Sequence, residues 1–195
     1  MADKDNQKGR RVAILTENGF EQSELVSPKE ALEKAGHHCE IVSPQKGKVK
    51  AWDKDKWGID VPVDKQVTDV SVDDYDALFL PGGVLNPDTL RMNHDAVLLV
   101  QDFFKAGKVI GAICHGPQML IEANVVEGRQ LTSYPSVRVD IVNAGGMWID
   151  QEVVVDNGLV TSRSPKDLEA FNRKFLEEIQ EGAHDRERPK TFAKG

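Results

Sequence analysis

The sequence predicts an α/β domain: a mostly parallel sheet with helices on both faces. Three observations predict it. Short unbroken apolar runs at 12–15, 77–80 and 109–113 read as strands buried on both sides. Stretches with helical apolar spacing separate these runs. Glycine or proline-glycine steps (Gly36, Pro81-Gly82-Gly83, Gly107) close the elements.

In chain order, 11–16 is a strand. A helix follows over 21–35, with Leu25, Leu32 and Ala35 on one face and Gly36 as its stop. Pro28 inside that helix predicts a kink or break near Ser27. Residues 39–43 form the next strand, and 48–52 with 59–63 a strand pair decorating the sheet. After the strand at 77–80, Asn86-Pro87-Asp88 reads as N-cap, N1 and N2 of a short helix over 87–92. A longer helix covers 94–106, a strand 109–113, and helices 118–123 and 137–143. Asn157-Gly158 predicts a type I′ hairpin between 152–156 and 159–162. The last helix, 165–181, carries Leu168, Phe171, Phe175, Leu176 and Ile179 as one stripe. Residues 1–10 and 182–195 read as a flexible and a polar tail, leaving one domain over 11–181.

The chain has 195 residues, enough for a core without metal or disulfide staples. With 25 Lys+Arg against 32 Asp+Glu the formal charge is −7, which argues against a nucleic-acid or anionic-membrane partner. The apolar runs are far too short to span a bilayer, and the polar start lacks a signal-peptide core, so a cytoplasmic location is expected. Two cysteines, Cys39 and Cys114, argue against a disulfide framework or a thiolate metal site, and the scattered histidines suggest none; no cofactor motif is present.

In open α/β sheets, sites form beyond the carboxyl ends of strands. Three such ends carry chemistry: Asn18-Gly19-Phe20-Glu21, Pro81-Gly82-Gly83 and Cys114-His115-Gly116. The third has the small-x-nucleophile-x-small form of a nucleophile elbow, Ala112-Ile113-Cys114-His115-Gly116. At a helix N-terminus its sulfur is expected to favour the thiolate, facing the N–H groups of His115 and Gly116 as oxyanion donors, with the Gly83 N–H opposite. Glu21 reads either as a carboxyl bonded to the Cys114 sulfur or as a first-turn helix glutamate. Adjacent side chains diverge on most turns, so His115 pairs with Cys114 only in unusual geometry. Asp88 is explained by its helix start. Cys39 reads as a packed thiol, and Trp52, Trp57 and Trp148 as core or interface residues.

The segments Ala112-Ile-Cys-His-Gly-Pro-Gln118, Leu80-Pro-Gly-Gly83, Phe20-Glu21, Thr132-Ser-Tyr-Pro135, Asn143-Ala-Gly-Gly146, Val153–Asp156 and Ser162-Arg163 together resemble the PfpI intracellular-peptidase family of the class I glutamine amidotransferase-like superfamily. That superfamily also holds the parkinsonism-associated protein deglycase. The resemblance runs from about residue 11 to about residue 179. It implies a flavodoxin-like sandwich that forms dimers or larger rings, with the site near the interface. It implies Cys114 as nucleophile, Glu21 as its carboxyl, and His115 in a triad whose acid comes from a neighbouring subunit. That acid, a glutamate in the family, maps to Asp88, one methylene shorter. The implied activity is a stress-protective cysteine hydrolase acting on carbonyl or peptide substrates, as a peptidase or by deglycase or glyoxalase chemistry. Two other readings stay open: a redox-responsive protein whose Cys114 is oxidised, and a chaperone-like holdase.

Overall fold

The computed structural model describes residues 9–184. In chain order the elements are β1 (Arg11–Leu15), β2 (Phe20–Glu21), α1 (Gln22–Lys34), β3 (His38–Ser43), β4 (Lys48–Asp53), β5 (Lys56–Pro62), β6 (Lys65–Gln66) and β7 (Ala77–Leu80). Then come α2 (Leu85–Leu90), α3 (His94–Lys105), β8 (Val109–Ile113), α4 (Gln118–Glu122), β9 (Gln130–Leu131), α5 (Arg138–Asn143), β10 (Met147–Trp148), β11 (Val153–Asp156), β12 (Leu159–Ser162) and α6 (Leu168–Glu181). Seven strands make the central sheet in the order β11-β12-β8-β7-β1-β3-β6. Only β11 runs antiparallel to its neighbour.

The two-residue period of a strand divides the apolar runs between two cores. Ala13, Leu15, Leu78, Leu80, Ile110 and Ala112 face the side covered by α3 and α4, against Val100, Phe103 and Leu120. Val12, Ile14, Phe79, Val109 and Ile113 face the other side, against Leu25 and Leu32 of α1 and Phe171, Phe175 and Ile179 of α6. Both faces are therefore buried, which is why these strands read as unbroken apolar runs. Gly111 in β8 leaves room for the Phe175 ring, whose nearest atom would lie 2.8 Å from a Cβ there.

Several expectations are corrected. α1 runs unbroken through Pro28, because Glu24, Leu25, Pro28 and Leu32 form one buried face that holds the helix against the sheet. β4 and β5 do not extend the central sheet; they join β2 in a separate three-stranded sheet. α2 starts at Leu85 with Val84 as its N-cap, so Asn86 lies inside the helix and Asp88 is not at N2. Arg10 is not loose: its carbonyl accepts from the His38 N–H at 2.8 Å. The same holds for His184, whose N–H donates to the Gly107 carbonyl at 2.8 Å. Residues 1–8 and 185–195 of the expected tails lie outside the described residues. The hairpin is as expected, with Asn157 and Gly158 both at positive φ. Among the described residues no helix is long and apolar enough to cross a membrane.

Candidate active site

Three neighbouring strands, β7, β8 and β12, end at one point. Cys114 follows β8 directly and takes φ +61°, a left-handed conformation that costs a non-glycine residue about 1–3 kcal/mol. The fold holds it there from both sides. Its N–H donates to the Ser162 carbonyl at the end of β12 (3.0 Å), and its carbonyl accepts from the Tyr134 N–H (2.8 Å). Gly116 is required by close packing: a Cβ there would strike the Leu80 carbonyl and come within 2.9 Å of the Ile113 carbonyl.

Gly82 is wedged between two side chains. A Cβ at this position would overlap Glu24 Oε2 and lie 2.6 Å from the Cys114 Cβ. The carboxyl beside the sulfur is thus that of Glu24, not Glu21. Glu24 projects from the first turn of α1 and is fully buried. Neither of its oxygens closes a hydrogen bond of good geometry, and the groups that act on it are the Cys114 thiol and the N–H groups of Gly82 and Gly83. Burial pushes its pKa up to about 8, with a smaller push from the charge of Glu21. Glu21 caps α1 one turn earlier, where its carboxylate accepts from the Ser23 hydroxyl (3.2 Å). The spacing of the buried face (24, 25, 28, 32) was the signal for Glu24: a carboxylate in line with apolar residues on a core-facing helix.

Cys114 itself is only 7% exposed. Burial pushes its thiol above the usual cysteine range, and ionised Glu24 pushes in the same direction; the N–H groups of Gly83 and His115 pull the other way. The expected helix-dipole effect is displaced, since α4 begins four residues later and is one short turn. With its pKa pushed up to about 8, Glu24 favours the protonated form at neutral pH, in which the sulfur faces a carboxylic acid rather than an anion. Of the expected oxyanion donors, Gly83 and His115 direct their N–H groups at the sulfur. The Gly116 N–H does not: it is spent on the Ile113 carbonyl at 2.8 Å, closing the elbow turn.

His115 and Cys114 do meet. Nδ1 lies 3.2 Å from Sγ, because the positive φ at Cys114 brings the two adjacent side chains to one side. Asp88 is exposed on α2 and is not among the groups acting on His115, whose ring responds to burial alone. Asn86, expected as a cap, is fully buried and ties the strand ends together. Its amide NH₂ donates to the Pro81 and Gly82 carbonyls (2.9 and 3.1 Å), and its Oδ1 accepts from the Glu17 N–H (2.7 Å). Cys39 is packed in the core, its thiol pushed up to about 12 by burial. Among the described residues one group, Glu178, Glu181 and His184, brings three potential metal-binding atoms within 4.8 Å of one another. It lies at the opposite end of β8 from Cys114, where His184 Nε2 is 3.0 Å from Glu178 Oε2.

The chain is similar to known proteins along most of its length. Deglycase PfpI of Pyrococcus furiosus is 44% identical over 166 residues, 85% of this chain and 97% of that protein. Protein/nucleic acid deglycase 2 of Escherichia coli is 45% identical over 168 residues, 86% of this chain and 96% of that one. Among solved structures, Drosophila melanogaster DJ-1beta superposes with a TM-score of 0.79 at 27% identity, covering 89% of this chain and 95% of that one. A two-domain Anabaena variabilis protein with DJ-1/ThiJ/PfpI-like and ferritin-like domains gives 0.83 at 34% identity; the match covers 87% of this chain and about half (48%) of that protein. The family model described as DJ-1/PfpI matches residues 10–178, so the sheet, the elbow and the buried glutamate all fall within it, and the chain belongs to the DJ-1/PfpI family.

Proposed function

We propose that this protein is a stress-protective, cysteine-dependent hydrolase acting on carbonyl compounds, with Cys114 as the nucleophile. The observation that carries the reading is the meeting of three groups at one sulfur: the buried Glu24 carboxyl, the His115 ring and the N–H groups of Gly83 and His115. The names of the relatives, deglycase in Escherichia coli and Pyrococcus furiosus and putative cysteine protease in Bacillus subtilis, support carbonyl and amide chemistry.

The chemistry follows from the placement. The thiol proton passes to His115 Nδ1, and the sulfur forms a bond to the carbonyl carbon while the C=O pair moves onto oxygen. The two N–H groups receive that oxyanion. Protonated Glu24 stabilises the thiolate without adding negative charge, which an ionised carboxylate at this place would do. With an aldehyde, the imidazolium returns its proton to the oxyanion and a hemithioacetal results. With an amide, the intermediate expels the amine, which takes that proton, and water then releases the acyl group. The protein is expected to act as a homodimer or larger homo-oligomer with the site near the interface.

The test is a panel of methylglyoxal, glycated peptides and chromogenic peptide amides, run on wild type and Cys114→Ala. The reading expects turnover of at least one class by wild type and loss of it in the folded variant. Equal turnover by Cys114→Ala ends the proposal.

A further inference from the structure

The segment that follows β9 closes over the ring of His115. Tyr134 stacks on it, with ring centroids 4.9 Å apart and 23° between planes. Tyr134 is itself tied to the nucleophile through its N–H on the Cys114 carbonyl. A single 3₁₀ turn, Pro135–Val137, then brings Ser136 Oγ to 3.3 Å from His115 Nε2. The ring therefore has a fixed partner at each nitrogen: the sulfur at Nδ1 and the serine hydroxyl at Nε2.

We propose that Ser136 is the positioning residue of the Cys114–His115 pair: it accepts a hydrogen bond from Nε2–H and so keeps the Nδ1 lone pair turned to the thiol. This deepens the proposed function and rests on its Cys–His pair. A neutral imidazole carries one N–H, and the acceptor at one nitrogen decides which nitrogen is the base. Ser136 can fill that role in both states. Before transfer its oxygen accepts from neutral Nε2–H; after transfer from S–H to Nδ1 it accepts from the imidazolium, where the bond strengthens. Burial works against that imidazolium. The groups facing the ring are Cys114 on the elbow and Tyr134 and Ser136 on the turn; Glu24 reaches the pair from α1 through the sulfur. No carboxylate of the described residues acts on His115.

The readout is the rate of iodoacetamide alkylation at Cys114, followed by peptide mass spectrometry across the neutral pH range. It needs no substrate. Ser136→Ala is expected to slow alkylation at neutral pH by about three- to tenfold and to move the pH midpoint upward; the effect is modest because Ser136 is open to water. Ser136→Thr, which keeps the hydroxyl, is expected to restore the wild-type profile, and Ser136→Asp, which adds a carboxylate, to move the midpoint downward. A Ser136→Ala profile that superimposes on wild type overturns the proposal. A uniformly slower rate with an unmoved midpoint also overturns it, since that reads as altered access. Failure of wild type on every compound of the substrate panel would overturn the hydrolase reading and leave this result standing.

Discussion

The two cysteines of this chain are buried to nearly the same degree, Cys114 at 7% and Cys39 at 6% exposure, and burial raises both thiols. What differs is their setting. Cys39 sits in the regular backbone of β3, paired with Val12 of β1, with only Glu33 and Lys29 acting on it from α1. Cys114 sits in a left-handed turn, beside a buried carboxyl whose pKa is pushed up, a histidine nitrogen and two backbone N–H groups. Burial alone makes a thiol inert; burial with groups arranged to receive a proton and a negative charge makes it usable.

The largest way to break this comparison is exchange of the sulfur. Cys114→Ala is expected to lower turnover by at least about a thousandfold, whereas Cys39→Ala leaves turnover per folded molecule unchanged and costs only packing. Steady-state rates on the responsive substrate, paired with thermal melts, check both. Next comes the wedge. Gly82→Ala puts a methyl against Glu24 Oε2, the Cys114 Cβ and the Ile113 carbonyl. It should cost about 1–3 kcal/mol in denaturant melts and slow the alkylation of Cys114 relative to wild type, with Cys39 unaffected.

Glu24→Gln sharpens the comparison through pH. The folded-state pKa of Glu24 is raised from 4.5 to about 8. Below 4.5 the carboxyl is protonated both folded and unfolded, and its stabilising contribution is fully present. As pH rises the unfolded chain ionises first, so that contribution is lost progressively up to about 8 and stays level above it. Glu24→Gln should therefore match wild type in acid and gain stability relative to it as pH rises, by about 3 kcal/mol near neutrality. Urea melts at matched pH measure the difference. The smallest effect is on reactivity: wild-type Cys114 alkylation should flatten as pH passes about 8, where ionised Glu24 repels the thiolate, and Glu24→Gln should lose that inflection.

The strands β1, β7 and β8 were legible because each is covered on both faces, and the β11–β12 hairpin because Asn157-Gly158 fits a turn with two positive φ angles. The elbow at Cys114 was legible from its small flanking residues. The parts that were not legible depend on tertiary contact. Pro28 predicts a break from local rules, but a buried helix face overrides it. Asn86 has the look of a cap, yet its amide joins the ends of β1 and β7, which no local pattern encodes. Glu21 stood nearest the first strand in sequence; one further helical turn puts Glu24, not Glu21, against the sulfur. The Gly116 N–H reads as a donor to substrate in the sequence because the closure of the elbow turn onto Ile113 is invisible there.

All of these contrasts depend on one proton. A ¹³C NMR titration of the Glu24 side-chain carboxyl, in folded protein with Cys114 reduced, reads it directly. A midpoint near 8 places an acid beside the sulfur at neutral pH, as this account requires. A midpoint near 4.5 would put a carboxylate there instead, and the proposed activation of Cys114 would be contradicted.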